Sequence, residues 1–169
     1  MDPKGQDVVD QVIARITSGR YLMTACHDGS RAGILVESVQ WLMNDPLLIG
    51  VSVRKGHEID PLVRDSRSFA VGFIEEGDRF IERRFGQRLN GEDSAIYVEG
   101  LDPFETLEST KLVTGSPVLK QCNTWVDCEV LRRVDLENAH EFFVGSVVGV
   151  SHNGETVRIE HEELRASDD

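Results

Sequence analysis

Residues 21–53 read YLMTACHDGSRAGILVESVQWLMNDPLLIGVSV, a stretch in which apolar runs alternate with short turn sequences. The runs predict β-strands, because they are rich in Val, Ile, Leu and aromatic residues and are bounded by turn-forming residues. The predicted strands are residues 21–26, residues 32–43 with a bend near Glu37-Ser38, and residues 47–53. The first turn contains Asp28-Gly29, which suits the positive φ of a tight hairpin, and the second contains Asp45-Pro46. Three strands joined in this way indicate an antiparallel sheet.

The remainder of the chain continues this pattern around a few helices. Further strands are predicted at residues 68–74, 124–134, 140–150 and 156–159, and helices at residues 7–17, 58–65 and 78–89. The first helix is amphipathic and is expected to lie against a larger body. Segment 90–117 is predicted to form loops, with one helical turn at residues 103–109. About six strands joined mostly by tight turns predict a mainly β fold, an antiparallel barrel or sandwich with peripheral helices.

The chain is expected to form one domain. It has 169 residues, which is an ordinary size for a single hydrophobic core. We assign residues 1–160 to this domain and residues 161–169 to an acidic mobile tail.

Charge and composition narrow the function classes. The chain has 18 Lys and Arg against 30 Asp and Glu, a formal charge of −12, which argues against nucleic-acid binding. No apolar run approaches the roughly 20 residues that span a bilayer, and residues 1–10 lack the pattern of a signal peptide. The three cysteines fit no zinc-binding spacing. We therefore expect a cytoplasmic protein with reduced thiols, no metal, no nucleic-acid partner and no membrane association.

Motifs of standard catalytic chemistry are absent from the sequence, including GxSxG, GxxxxGK(S/T), HExxH and CxxC. The polar residues of interest follow the third predicted strand. Arg54 and Lys55 could neutralise a phosphate there, and Gly56 would let the backbone approach it. The alternative is a solvated turn in which these two cations pair with Glu58 or Asp60. The residues alone leave both interpretations open.

Three pieces of the sequence together resemble the flavin reductase-like family of FMN-binding split barrels. The run from Gly19 to Ile74 resembles the N-terminal half of that family. Residues 114–119, TGSPVL, resemble its T-G-x-P-V/I-L signature, and residues 125–150 resemble its last two long strands. The similarity runs in order from Ser18 to Val150, and this ordered set is more specific than any single piece.

The resemblance implies a six-stranded antiparallel Greek-key split β-barrel that dimerises and binds FMN at the dimer interface. Members of the family pass a hydride from NADH or NADPH to flavin N5, and many release reduced flavin to a partner oxygenase. The flavin then carries the difficult step, so the protein need only bind, orient and exclude. We therefore predict a homodimeric, NAD(P)H-dependent flavin oxidoreductase with FMN as cofactor, serving a partner oxygenase or another electron acceptor.

Site residues follow from the resemblance position by position. His140 matches the family histidine near which nicotinamide stacks and is the candidate catalytic residue, and Gly145 matches the glycine that leaves room beside it. The residues expected to contact flavin are Arg31, Ala32, Gly33, Ile34, Leu35, Val36, Glu37, Ser38, Val39, Ser52, Val53, Arg54, Lys55, His57, Arg84 and Phe85. The apolar members of this set would lie in the core of any barrel, so their types alone do not identify a ligand site.

Two positions depart from the family pattern and keep other functions open. Where members show small or hydroxyl residues, this chain has Leu35, which cannot donate a hydrogen bond to phosphate, and Glu37, which would repel it. These departures favour a carrier or sensor that binds FMN or another small ligand without turning over a nicotinamide. His140 and Gly145 favour the enzyme. A third alternative is a ligand-free dimeric module for protein interaction.

Overall fold

A computed structural model of the chain describes residues 3–16, 18–86 and 102–161. Within these ranges there are three helices and ten strands. They are α1 (Pro3–Ile13), β1 (Tyr21–His27), β2 (Ser30–Val36), β3 (Val39–Asn44), β4 (Leu47–Arg54), α2 (Ile59–Ser66), β5 (Ser68–Phe73), α3 (Arg79–Phe85), β6 (Ser109–Thr110), β7 (Val118–Leu119), β8 (Thr124–Asp135), β9 (His140–His152) and β10 (Glu155–Arg158). Among the helices of these ranges, none has the length and apolar character that crossing a membrane requires.

Eight of the described strands form one antiparallel sheet. Their order is β2-β1-β5-β8-β9-β4-β3, and β10 pairs with β9 beyond the end of β4. The short strands β6 and β7 pair separately. The predicted mainly β fold is therefore confirmed. The count exceeds the expected six partly because the predicted strand 32–43 divides at Glu37-Ser38 into β2 and β3.

The division at Glu37-Ser38 explains how the sheet curls. β2 pairs with β1 at one edge of the sheet, whereas β3 pairs with β4 at the other edge. Only two residues separate these edge strands, so the two edges must come together as they do in a barrel. The carbonyl of Glu37 accepts from the N–H of Gly19 at 3.1 Å, and that of Ser38 accepts from the N–H of Ser52 at 3.2 Å. These hydrogen bonds hold the corner.

Apolar side chains form two cores, one inside the barrel and one outside it. Alternate strand residues point inward, and the inner core includes Met23, Ile34, Val51, Phe69, Phe143 and, from α2, Ile59 and Val63. The outer core lies over β1 and β5, beneath α3 and the segment 103–122, and includes Leu22, Ala70, Ile81, Phe85, Phe104 and Trp125. Because β1 and β5 are covered on both faces, their sequences are apolar almost throughout.

Residues 114–119, the TGSPVL motif, are fastened to the barrel by buried polar side chains. Asp127 is fully buried, and its Oδ2 accepts from the N–H of Thr114 at 2.7 Å while its Oδ1 accepts from Thr114 Oγ1 at 2.6 Å. Thr24 Oγ1, also buried, donates to the carbonyl of Pro117 at 2.6 Å. Buried polar groups need such partners. The motif therefore secures the segment that covers the outer core.

Several predicted boundaries change. α1 occupies Pro3–Ile13 instead of residues 7–17, and none of its side chains is buried, so it does not lie against the described part of the barrel. α3 ends at Phe85, and residues 87–101 and 162–169, which include the end of that predicted helix and most of the predicted tail, lie outside the described residues. The predicted turn at 103–109 is present over residues 103–106.

Candidate functional site

A cleft of about 690 Å³ opens at the corner where β2 ends. This volume falls within the range of about 300 to 1,000 Å³ that is usual for small-molecule sites. Residues from the ends of β2, β4 and β9 and from α3 line it, joined by residues that flank β1 and β5. They are Arg20, Leu35, Val36, Glu37, Ser38, Ser52, Arg54, Ile74, Arg79, Glu82, Arg83, Gly86 and His140.

Arginines dominate the charge of this cleft. Arg20 forms an ion pair with Glu82. Within the described ranges, Arg54, Arg79 and Arg83 have no ion-pair partner. Three unpaired guanidinium groups form a locally positive region in a chain of formal charge −12. Because a guanidinium group binds phosphate and carboxylate through two parallel hydrogen bonds, the cleft can hold an anionic ligand.

One wall of the cleft brings a cation, an imidazole and a hydroxyl group together. Arg54 and His140 lie directly opposite each other on β4 and β9. Ser52 also lines the cleft, two residues before Arg54, because alternate residues of a strand share a face. The N–H of His140 donates to Oδ1 of Asn138 at 2.8 Å, which defines where β9 begins.

The end of β2 supplies an apolar surface and two backbone donors. Leu35 and Ile74 line the cleft from this side. The N–H groups of Glu37 and Ser38 donate no backbone hydrogen bond within the described part of the chain. A ligand can therefore receive hydrogen bonds here. The carboxylate of Glu37 is exposed at the same place and adds one negative charge.

Seven of the sequence-predicted site residues are brought together in the cleft. They are Leu35, Val36, Glu37, Ser38, Ser52, Arg54 and His140. Four others are buried in the inner or outer core, where their side chains do not reach the cleft: Ala32, Ile34, Val53 and Phe85. Val39 packs against the inner core. The side chains of these apolar residues therefore belong to the core, as expected for any barrel.

Two glycines of the predicted site are required by packing. A Cβ at Gly33 would lie 2.7 Å from Cδ1 of Phe85, so a larger residue would push α3 away from β2. A Cβ at Gly145 would lie 2.7 Å from Cζ of Phe69 and 2.8 Å from Cβ of Cys128. Gly145 thus makes room inside the barrel rather than in the cleft.

Arg31 and Arg84 hold the segment after residue 101 in place. Arg31 Nε donates to Oδ2 of Asp102 at 2.9 Å, and its guanidinium group lies 5.4 Å from the ring centroid of Phe104. Arg84 Nε donates to the carbonyl of Pro103 at 2.9 Å. The side chains of both predicted flavin contacts are therefore engaged within the protein.

Lys55 and His57 are also engaged elsewhere. Lys55 pairs with Asp135, not with Glu58 or Asp60 as the solvated-turn alternative proposed. His57 Nδ1 accepts from the N–H of Ile59 at 3.1 Å at the start of α2. Burial lowers the pKa of His57, although the nearby carboxylates of Glu58 and Asp60 oppose this, so the imidazole is favoured in its neutral form.

The sequence-based prediction missed the contribution of α3. Arg79 and Arg83 line the cleft, and their spacing of four residues places them on one face of a helix. Ile81 and Phe85, also four residues apart, are buried on another face. This pattern was available in the sequence. It could have shown that Arg83, rather than Arg84, shares a face with Arg79.

The buried cysteines are not candidates for nucleophilic catalysis. Burial raises the pKa of Cys122 to about 11, and nearby Asp78 and Glu75 act in the same direction. Burial also raises the pKa of Cys128 well above its usual value. Since the thiolate is the reactive form of cysteine, these side chains remain unreactive at neutral pH.

Known proteins similar to this chain include flavoproteins and reductases. The chain is 25% identical over 128 residues to diflavin flavoprotein A 1 of Synechocystis sp. The aligned region covers 75% of this chain and 21% of that protein. It is 26% identical over 136 residues to the ferric-chelate reductase (NAD(P)H) of Archaeoglobus fulgidus, which covers 79% of this chain and 75% of that protein. The chain spans about a fifth of the length of the diflavin flavoproteins it matches.

Solved structures share its fold. The NADH:FAD oxidoreductase SgcE6 of Streptomyces globisporus C-1027 has a TM-score of 0.69 at 20% identity, over 95% of this chain and 96% of that chain. BorF, the flavin reductase component of a bacterial two-component tryptophan halogenase, has a TM-score of 0.68 at 18% identity, over 93% and 99%.

A family model links these observations to a family. The model of the flavin reductase like domain matches residues 13–160. This span contains all the residues that line the cleft and the TGSPVL motif that fastens the covering segment. The predicted resemblance is confirmed, and the chain belongs to the flavin reductase-like domain family.

Proposed function

We propose that the protein is a flavin reductase that binds FMN in the cleft and takes a hydride from NADH or NADPH. The observation that carries this proposal is the cleft, where Arg54, Arg79 and Arg83 have no acidic partner among the described residues. Membership of the flavin reductase-like family and similarity to a ferric-chelate reductase (NAD(P)H) support the same activity.

The residues of the cleft suit FMN. The three unpaired arginines can bind a phosphate, while Leu35 and Ile74 offer apolar surface to an aromatic ring system. The N–H groups of Glu37 and Ser38 can donate to carbonyl oxygens or ring nitrogens. When bound, FMN supplies the hydride acceptor, which accounts for a site without a catalytic triad.

The protein's own task is to orient two ligands and to exclude water. His140 borders the cleft beside Arg54, so one wall carries a group that can bind phosphate and a group that can position a nicotinamide. An imidazole can donate a hydrogen bond or present its ring face to a planar ligand. We assign His140 the orientation of the nicotinamide and Arg54 the binding of phosphate.

The proposal extends to a homodimer. Trp41 on edge strand β3 is 65% exposed, and its neighbours Leu42 and Met43 are each 41% exposed. Leu131 and Val134 on β8 are exposed large apolar residues as well. Aromatic residues and methionine are enriched where protein surfaces meet. A second copy of the chain that covers β3 would remove them from water.

We also propose that the reduced flavin serves another protein. BorF is named as the flavin reductase component of a two-component halogenase. By analogy, this chain would deliver reduced flavin to a partner oxygenase or to another electron acceptor.

Glu37 favours a second candidate, a carrier or sensor that binds FMN without nicotinamide turnover. Its carboxylate lines the cleft and opposes phosphate binding nearby. One experiment separates the candidates: titration of the purified protein with FMN while flavin fluorescence is recorded, then anaerobic addition of NADH or NADPH while flavin absorbance is recorded.

The reductase proposal predicts saturable binding of one FMN per chain and rapid bleaching with at least one nicotinamide. Saturable binding without bleaching by either nicotinamide would support the carrier. No saturable binding at high FMN concentration would contradict both candidates and favour the interaction module.

A further inference from the structure

A fully buried glutamate lies directly beside the cleft. Glu141 follows His140 on β9, and its side chain has no exposed surface. Its Oε2 accepts from Nε of Arg133 on β8. Its Oε1 is buried and has no hydrogen-bond partner in the part of the chain that the structure describes. A buried carboxylate with an unsatisfied oxygen is strongly disfavoured, so this atom needs an explanation.

A second carboxyl group offers one. Asp60, on α2, also has a buried oxygen, Oδ1, without a hydrogen-bond partner among the described residues. The Asp60 carboxyl group lies within hydrogen-bonding reach of Glu141. Two ionised carboxylates at such a distance repel each other, and neither can donate a hydrogen bond. A single proton between them would remove the repulsion and give both oxygens a partner.

We propose that Asp60 and Glu141 share one proton, which forms a carboxylic acid–carboxylate hydrogen bond that fastens α2 to β9 behind the cleft. With one proton the pair carries a single negative charge, which the guanidinium group of Arg133 balances. Loss of the proton leaves two negative charges on adjoining elements, and that of Glu141 is fully buried. The pair is therefore a proton-binding site that responds to pH.

The charges around the pair fit this assignment. On α2, Arg64 Nε lies 3.9 Å from Oδ1 of Asp60, which is too long for a hydrogen bond. In the preceding turn, the carboxylates of Asp60 and Glu58 both lie near the imidazole of His57, which is favoured in its neutral form. On β8, Asp135 lies opposite Glu141 in the ladder but pairs with Lys55. On β4, the residue opposite Glu141 is the uncharged Val53.

Burial is the largest influence on the protonation of Glu141. It raises the pKa of this carboxyl group, and the neighbouring Asp60 raises it further, whereas Arg133 lowers it. A folded-state pKa above the unfolded value means that the folded protein holds the proton more tightly. The proton's contribution to the stability of the fold is therefore complete below the ordinary glutamate pKa of 4.5. It is lost as the pH rises through the folded-state pKa of Glu141.

The pair is tied to the cleft at both ends. Glu141 is the next residue after His140, and α2 begins five residues after Arg54. Ionisation of the pair would push α2 and the start of β9 apart, next to the wall of the cleft that Arg54 and His140 form. The shared proton itself does not depend on flavin binding, and its test therefore uses the ligand-free protein.

The first test is a carbon-13 NMR titration of the glutamate side-chain carboxyl groups in the folded wild-type protein. We expect Glu141 to titrate above 4.5. In Asp60→Asn its titration should move to lower pH, because the asparagine amide can donate to Oε1 and the neighbouring carboxylate is gone. A purely structural role for Asp60 would leave this titration unmoved, and that result would overturn the proposal.

The second test compares unfolding at several pH values. Glutamine at position 141 can accept from Arg133 and donate to Asp60, so Glu141→Gln mimics the protonated acid. Relative to this variant, the wild-type unfolding equilibrium constant should rise by up to about tenfold per pH unit through the titration of the pair. Glu129→Gln, which changes an exposed carboxylate on β8, should show no such difference.

The same pH dependence in wild type and Glu141→Gln would contradict a shared proton. If either variant fails to fold, the wild-type NMR titration decides alone. An ordinary or lowered pKa of Glu141 in the folded protein would then overturn the proposal.

Discussion

Arg54 and His140 face each other across the β4–β9 ladder, and both side chains border the same cleft. The Cα atoms of residues paired across an antiparallel ladder lie about 5 Å apart, so a substitution at one position affects the surroundings of the other. The pairing places the proposed phosphate-binding group and the proposed nicotinamide-orienting group on two adjacent, hydrogen-bonded strands. Variants of the two residues should nevertheless affect different quantities: the rate of flavin reduction for His140 and the Kd for FMN for Arg54.

His140→Ala should slow flavin reduction about 10- to 100-fold, because the nicotinamide loses its orientation. The Kd for FMN should stay nearly unchanged. Arg54→Ala should instead weaken FMN binding by about 1.5 kcal/mol or more, roughly tenfold in Kd, because a charge-assisted hydrogen bond is lost. Stopped-flow reduction and fluorescence titration measure the two effects. His152→Ala, at the other end of β9, is the matched control. Unchanged turnover in His140→Ala would remove His140 from the mechanism.

Arg83 and Arg84 are neighbours on α3 with different tasks, so exchanging each for alanine should have opposite consequences. Arg83→Ala should weaken FMN binding several-fold with little effect on stability, since Arg83 lines the cleft and is unpaired among the described residues. Arg84→Ala should lower the free energy of unfolding by about 1 kcal/mol, because its bond to the carbonyl of Pro103 is lost. The reverse result would mean that Arg84 turns into the cleft when flavin binds.

Glu37→Gln should tighten FMN binding at low ionic strength, since it removes a negative charge from a cleft that holds a phosphate ester. The side chain is exposed, so the repulsion is worth about 1 kcal/mol, or roughly fivefold in Kd. The gain should shrink as salt is added, because exposed charges are screened. Titrations at two salt concentrations, with Glu155→Gln as the control for a change in net charge, measure it. Weaker binding would indicate that Glu37 accepts a hydrogen bond from the ligand.

Trp41→Glu should shift the protein towards the monomer, because a charge on edge strand β3 would oppose its burial between two copies. Sedimentation velocity over a range of protein concentrations measures the equilibrium. Val157→Glu changes another exposed apolar residue, on β10, and should leave the assembly intact. A wild-type protein that is monomeric at all concentrations would contradict the proposed dimer.

The sequence alone determined most of the β architecture, because that information is local. Alternation of apolar residues and turn pairs such as Asp28-Gly29 set the strands of residues 21–53, and the bend at Glu37-Ser38 was visible as two polar residues in an apolar run. The flavin reductase-like resemblance rested on the order of several such pieces. The α3 spacing that separates Arg83 from Arg84 was also present in the sequence.

Tertiary structure decided what no local pattern contains. The bend at Glu37-Ser38 carries the chain to the opposite edge of the sheet, and only the pairing of β3 with β4 shows this. From the sequence, Arg84 is a candidate flavin contact, and only the tertiary structure shows its side chain bonded to the carbonyl of Pro103. Asp60 and Glu141 are far apart along the chain, and each reads as an ordinary charged residue. Burial and contact between distant residues depend on how the sheet closes, and the closed barrel alone brings the Asp60 carboxyl group to a fully buried Glu141.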